Sequence, residues 1–135
     1  MNANNVGARY PDSFGGFAIA NSVPVYLGAT GNAIATLSTV GSTYIVRRVT
    51  VAGASGSVAL ANVTILTSND GNTSNAVTNA AALTTVTGST KFQDLPLSTA
   101  AASTVYSTSL YVYVGTAAAA NNSVEITVYG DVVSL

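Results

Sequence analysis

Cysteine, histidine and tryptophan are all absent from the sequence. Without cysteine there is no disulfide framework, no thiol nucleophile and no thiolate metal site. Without histidine there is no Ser-His-Asp triad, no imidazole acid or base, and no ordinary zinc site. The redox compartment stays open, because a cysteine-free chain suits any of them. No cofactor is expected, and stability must come from packing or from assembly.

Charge is the next scarcity. Four basic and five acidic side chains make up 7% of the 135 residues, where a typical soluble chain of this length carries roughly 34. A folded surface of about 6,500 Å² would then bear one charge per roughly 700 Å². That is sparse for a protein that must stay apart from its neighbours. A net charge of −1 and a pI near 4.8 exclude a basic nucleic-acid binder that works by counterion release. Mean hydropathy is +0.43, yet no run approaches the ~18 apolar residues of a membrane span, so no membrane partner is expected. The opening residues lack a basic start followed by an apolar stretch, so no secretory leader is expected either.

What is abundant is small, β-branched or turn-forming: 22 Ala, 18 Thr, 18 Val, 15 Ser and 12 Asn. Val and Thr suit a pleated, half-buried surface, and Asn, Ser and Gly supply turns. Residues 1–16 stand apart, with no period of 2 or 3.6. They read either as a frayed terminus or as an arm that orders on a partner. Tyr10, Phe14 and Phe17 are poor residues for a merely solvated tail, so an extended N-terminal arm is expected over 1–16, with a single domain over 17–135. Arg9, Tyr10 and Phe14 are the expected anchor.

From residue 17, short β-like runs alternate with turn clusters. Strands are expected at 17–20 and 23–27, at 33–40, 43–52 and 58–67, within 76–87, and at 91–97, 104–114 and 123–133. In 43–52, simple alternation places Ile45, Val49 and Val51 on one face and Tyr44 and Val46 on the other. In 104–114, Leu110, Val112 and Val114 oppose Tyr111 and Tyr113. In 123–133, Val124, Ile126 and Val128 oppose Glu125, Thr127 and Tyr129. Residues 115–122 (GTAAAANN) read as a hairpin loop. About eight strands with turn signals every 8–12 residues predict an all-β, jelly-roll-like antiparallel β-sandwich.

Few residues suggest chemistry. Asp12, Asp70, Asp94, Glu125 and Asp131 are scattered and read as isolated surface charges, not as the paired carboxylates of a glycosidase. Residues 68–72 (SNDGN) superficially resemble a calcium loop but lack its full ligand spacing and closing Glu; a β-turn is expected. Arg47 and Arg48 form the only basic doublet. On a regular strand they point to opposite faces, so one is expected at an intersubunit salt bridge or as an edge charge that blocks aggregation. Tyr111 and Tyr113 would share a face, and with the Thr rows they leave open a carbohydrate-binding or adhesion module.

The order TYIVRRVTVAGASGS, a polar loop, KFQDLPL, then SLYVYVGTA and VEITVYGDVV resembles the head decoration (cement) proteins of tailed bacteriophages, over roughly residues 43–133. The resemblance implies a virion location on the capsid surface and a non-catalytic role. It also implies binding to the major capsid protein as a homo-oligomer, with a trimer favoured and a terminal arm reaching adjacent subunits. It supplies no catalytic residue.

Overall fold

The computed structural model describes residues 17–37 and 43–133. The strands are β1 (Phe17–Tyr26), β2 (Gly31–Leu37), β3 (Tyr44–Ala52), β4 (Asn62–Leu66), β5 (Ala81–Ala82), β6 (Gln93–Asp94), β7 (Leu110–Thr116) and β8 (Ser123–Val132). Two single 3-10 turns, Thr73–Asn75 and Ala100–Ala102, are the only helical elements among the described residues. The all-β expectation holds.

The topology follows from how the chain doubles back. β1 pairs with β8, β2 with β7, β3 with β6 and β4 with β5, every pair antiparallel. The resulting ribbon of nested pairs is then rolled, so that β8 also meets β3 and β7 also meets β4. Two four-stranded sheets result, β1-β8-β3-β6 and β2-β7-β4-β5. This is the jelly-roll order, an antiparallel β-sandwich with the core between its sheets.

Alternation decides what enters that core. Val124, Ile126 and Val128 of β8 are fully buried, and so are Leu110, Val112 and Val114 of β7. Each such side chain contributes on the order of 1.5–3 kcal/mol by leaving water. These are the faces that the sequence predicts.

β3 breaks the predicted phase. Tyr44, Val46, Val49 and Val51 are all buried together, although strict alternation puts the first two opposite the last two. A β-bulge is the reason: Val46 lies opposite Gly130 and Arg48 opposite Tyr129, so Arg47 is an extra residue without a partner on β8. The extra residue restarts the period and returns the apolar side to the core.

Five further expectations are corrected. Residues 115–122 do not close a hairpin, because β7 and β8 lie in different sheets. The segment crosses the end of the sandwich and is pinned there, with the Ala118 amide donating to the Leu27 carbonyl at 2.8 Å and the Leu27 amide donating to the Asn122 carbonyl at 3.0 Å. The runs 76–87 and 91–97 shrink to two-residue strands, and 104–109 is loop apart from one bridge between Tyr106 and Tyr44. The run 58–67 becomes a strand only at Asn62, since a tight turn first returns the Ala61 amide to the Val58 carbonyl at 2.9 Å.

Candidate interaction surfaces

The outward side of the β1-β8-β3-β6 sheet gathers the strand charges. The bulge at Arg47 leaves both arginines of the doublet exposed, so they do not point to opposite faces. Arg47 Nε donates to Asp131 Oδ2 at 2.9 Å, and Arg48 Nε donates to Asp94 Oδ1 at 2.9 Å. Asp94 Oδ1 also accepts from Thr50 Oγ1 at 2.7 Å. The Arg48 guanidinium lies 5.7 Å from the ring centroid of Tyr129, its cross-strand partner. β3 is an interior strand of its sheet, so the doublet does not mark a sheet edge. Asp94 and Asp131 are therefore paired, not isolated. Sequence separation hid these partners: they lie 46 and 84 residues from their arginines.

Both pairs are solvent-exposed, which limits their value. Asp131→Ala is expected to cost under about 0.5 kcal/mol in a denaturant titration. Asp94→Ala should cost about 1 kcal/mol, because Asp94 takes two hydrogen bonds that tie the two-residue β6 to β3. Equal losses for the two variants would show that this tether is idle.

The opposite sheet is different. Among the described residues none of its strands, β2, β4, β5 or β7, contains a charged residue. Tyr111 stands opposite Thr36 and Leu66, and Tyr113 stands opposite Thr64, so both tyrosines share the outward side as expected. They are partly exposed, and Thr64 and Leu66 beside them are buried. The result is a neutral face of aromatic and hydroxyl groups.

The third surface is the end where the β1–β2, β3–β4, β5–β6 and β7–β8 connections meet. Asn121 and Asn122 knit three of them. Asn121 Oδ1 accepts from the Gly28 amide at 3.0 Å, and Asn122 Nδ2 donates to the Ser57 carbonyl at 3.0 Å. The Ser55 amide donates to the Ser123 carbonyl at 2.9 Å, and Ser55 Oγ accepts from the Ser123 amide at 2.9 Å. The fourth connection joins through the Val58 amide, which donates to the Val86 carbonyl at 3.0 Å. No sequence signal singled out these two asparagines, because one Asn in an Asn-rich loop looks like another.

The 68–72 segment is a turn. Asp70 Oδ1 accepts from Ser68 Oγ at 2.7 Å and from the Asn72 amide at 3.0 Å, while Gly71 takes a φ of +71° that glycine favours. The Ser68 hydroxyl, and then the Asn72 amide, hold the Asp70 carboxyl below its ordinary range. Among the described residues no three acidic, His or Cys side chains converge in a way that could hold a metal ion. Arg9, Tyr10 and Phe14 lie outside the described residues. Compared with known protein families, with curated proteins and with solved structures, the chain finds no match.

Proposed function

We propose that the chain is a structural virion protein: a capsid decoration or cement protein that oligomerises on the major capsid lattice and stabilises it, without a catalytic role. The observation that carries this reading is the segregation of charge. Five of the seven charged residues in the described region sit on strands of one sheet, and four of those five are closed in two ion pairs. The other sheet has none. A charged face resists burial because its ions must be desolvated, whereas a neutral Thr and Tyr face meets a neighbour at little such cost.

The resemblance to head decoration proteins points the same way. So does the jelly roll, a fold used by viral capsid domains as well as by lectins. A protein that binds the assembled shell and not its free subunits shifts the assembly equilibrium by mass action. Many small contacts in a lattice then add through avidity.

Quantitative mass spectrometry of purified particles tests the reading. A fixed ratio of this chain to the major shell subunit is expected, with stripped shells melting at lower temperature. Particles that lack the chain would overturn it. Residues 1–16 serve as the anchoring arm in this proposal, through Arg9, Tyr10 and Phe14. Deleting them should leave the melting temperature of the free domain unchanged and remove most capsid occupancy; unchanged occupancy sinks the arm.

One observation favours a second reading, a carbohydrate-binding module displayed on a particle. Tyr111 and Tyr113 share an uncharged outward face, and aromatic faces stack on sugar rings. A specific glycan-array signal lost in Tyr111→Ala and Tyr113→Ala would select it.

A further inference from the structure

Large apolar side chains in open solvent are few in the described region, and three of the five gather at one end. Tyr26 is 52% exposed, Leu60 66% and Phe92 59%. Tyr26 closes β1 opposite Ser123, whose carbonyl and amide bond Ser55 in the β3–β4 connection. Leu60 lies on that same connection. Phe92 precedes Gln93, the partner of Val51 near the end of β3, and its carbonyl accepts from Thr85 Oγ1 at 3.2 Å. The three therefore ride on the end already knitted by Asn121 and Asn122.

We propose that this end is the surface that docks on the shell, with Tyr26, Leu60 and Phe92 inserting into apolar depressions of the shell protein. The proposal rests on the reading of the chain as a decoration protein and adds which part of it makes contact. Three features support the assignment. Apolar anchors set in a polar rim are the usual energetic centre of a protein interface. The loops that carry them are cross-linked by hydrogen bonds, so little ordering entropy remains to be lost on docking. Lys91 is the only charged residue on the four connections, and Glu125, opposite Ala52 with its carboxylate beside Gly53, is a strand charge at this end, so docking has only these two charges of opposite sign to keep in water.

Area selects the occupant. Two sheets about 10 Å apart, each four strands wide at about 4.8 Å, present an end of roughly 20 Å by 20 Å. That footprint of about 400 Å² is half of the ~800 Å² per partner that a stable isolated pair uses. A second copy meeting the first end to end would be too weakly held to persist. A repeating shell offers many such sites at once, and copies linked to one another engage them together.

Binding of the full chain to empty shells of its particle, followed by cosedimentation, tests the assignment. Leu60→Asp and Phe92→Asp should each weaken binding at least tenfold, and the double variant should not bind. Val105→Asp is the control: Val105 is 54% exposed but lies beside Tyr106, which bridges Tyr44 where β3 begins, at the opposite end. It should bind within twofold of the parent. All these sites are exposed, so melting temperatures should stay within a few degrees and folding does not confound the result.

Parental binding that survives both substitutions overturns the docking end and leaves the decoration reading standing. Failure of the parent to bind overturns both. Loss of a concentration-dependent dimer in sedimentation, with shell binding intact, overturns the assignment in favour of a second copy.

Discussion

Gly130→Ala is expected to lose more than about 3 kcal/mol of stability, a fall in melting temperature of more than about 10 °C for a domain of this size. Gly130 sits in β8, between β1 and β3, opposite Phe17 on one side and Val46 on the other. A methyl group there would overlap the Ile45 carbonyl oxygen, and it would stand 3.0 Å from the Ile45 carbonyl carbon and 3.2 Å from the Val46 Cα. These are backbone atoms, so no side-chain rotation relieves the overlap; β3 must shift bodily. Overpacking of this kind costs about 1–3 kcal/mol when side chains can yield, and more when they cannot. The shift would fall beside the bulge that seats Arg47 and Arg48 on the outward side. Gly88→Ala is the matched control, since nothing lies within 4 Å of its added carbon, and a change within about 0.5 kcal/mol is expected. Urea titrations of both variants measure the difference. A Gly130→Ala loss below about 1 kcal/mol would show that β3 slides freely over β8.

The same pair of strands shows how far the sequence is legible. β7 and the middle of β8 are regular, so period-2 alternation names their buried residues correctly. β3 carries one extra residue, and alternation counted through Arg47 sends Tyr44 and Val46 to the wrong side. The two arginines are themselves the clue, because neither could enter the core and the strand must bend to keep both in water. β5 and β6 have two residues each, too few for any period to register, and they exist because the long strands β4 and β3 offer them a ladder. The crossing at 117–122 looks like a hairpin because its flanks are both clear strands. What it lacks is a tight-turn pair such as Asn-Gly, and that lack marks a change of sheet. The surfaces are less legible than the fold. Tyr111 and Tyr113 could be placed together from their spacing of two, and the scarcity of charge was visible at once. The gathering of Tyr26, Leu60 and Phe92 at one end depends on four connections separated by most of the chain, which no local pattern encodes.

Tyr44→Ala should be as damaging as Gly130→Ala, at about 3–5 kcal/mol, for the opposite physical reason. Tyr44 is the largest fully buried side chain of the described core. Its hydroxyl donates to the Thr108 carbonyl at 2.5 Å, and its ring lies 6.0 Å from that of Tyr106. Its amide and carbonyl also exchange hydrogen bonds with those of Tyr106, at 2.9 and 2.8 Å. Removing the ring opens a cavity and strands the Thr108 carbonyl, so the loop that leads into β7 keeps only its backbone bonds at Tyr106 as a fastening to β3. Two phenylalanine variants separate ring from hydroxyl. Tyr44→Phe keeps the packing and should lose about 1–2 kcal/mol with the hydrogen bond. Tyr106→Phe should cost close to nothing or stabilise slightly, because the Tyr106 hydroxyl is buried near Thr104 and Ser98 without closing a hydrogen bond to a described residue. The pair also sets an alkaline limit. Burial pushes the Tyr44 hydroxyl from its ordinary 10.0 up to about 12, against a smaller opposing pull from the Thr108 side chain, and burial raises Tyr106 as well. The unfolded chain therefore releases these protons first. Their contribution is fully present below about pH 10 and is lost as pH climbs towards 12. Unfolding free energies measured from pH 8 to 12 should decline across that upper window in the parent and less steeply in Tyr44→Phe. Parallel curves would mean that the Tyr44 hydroxyl ionises in place, and that the fastening of this loop tolerates a charge inside it.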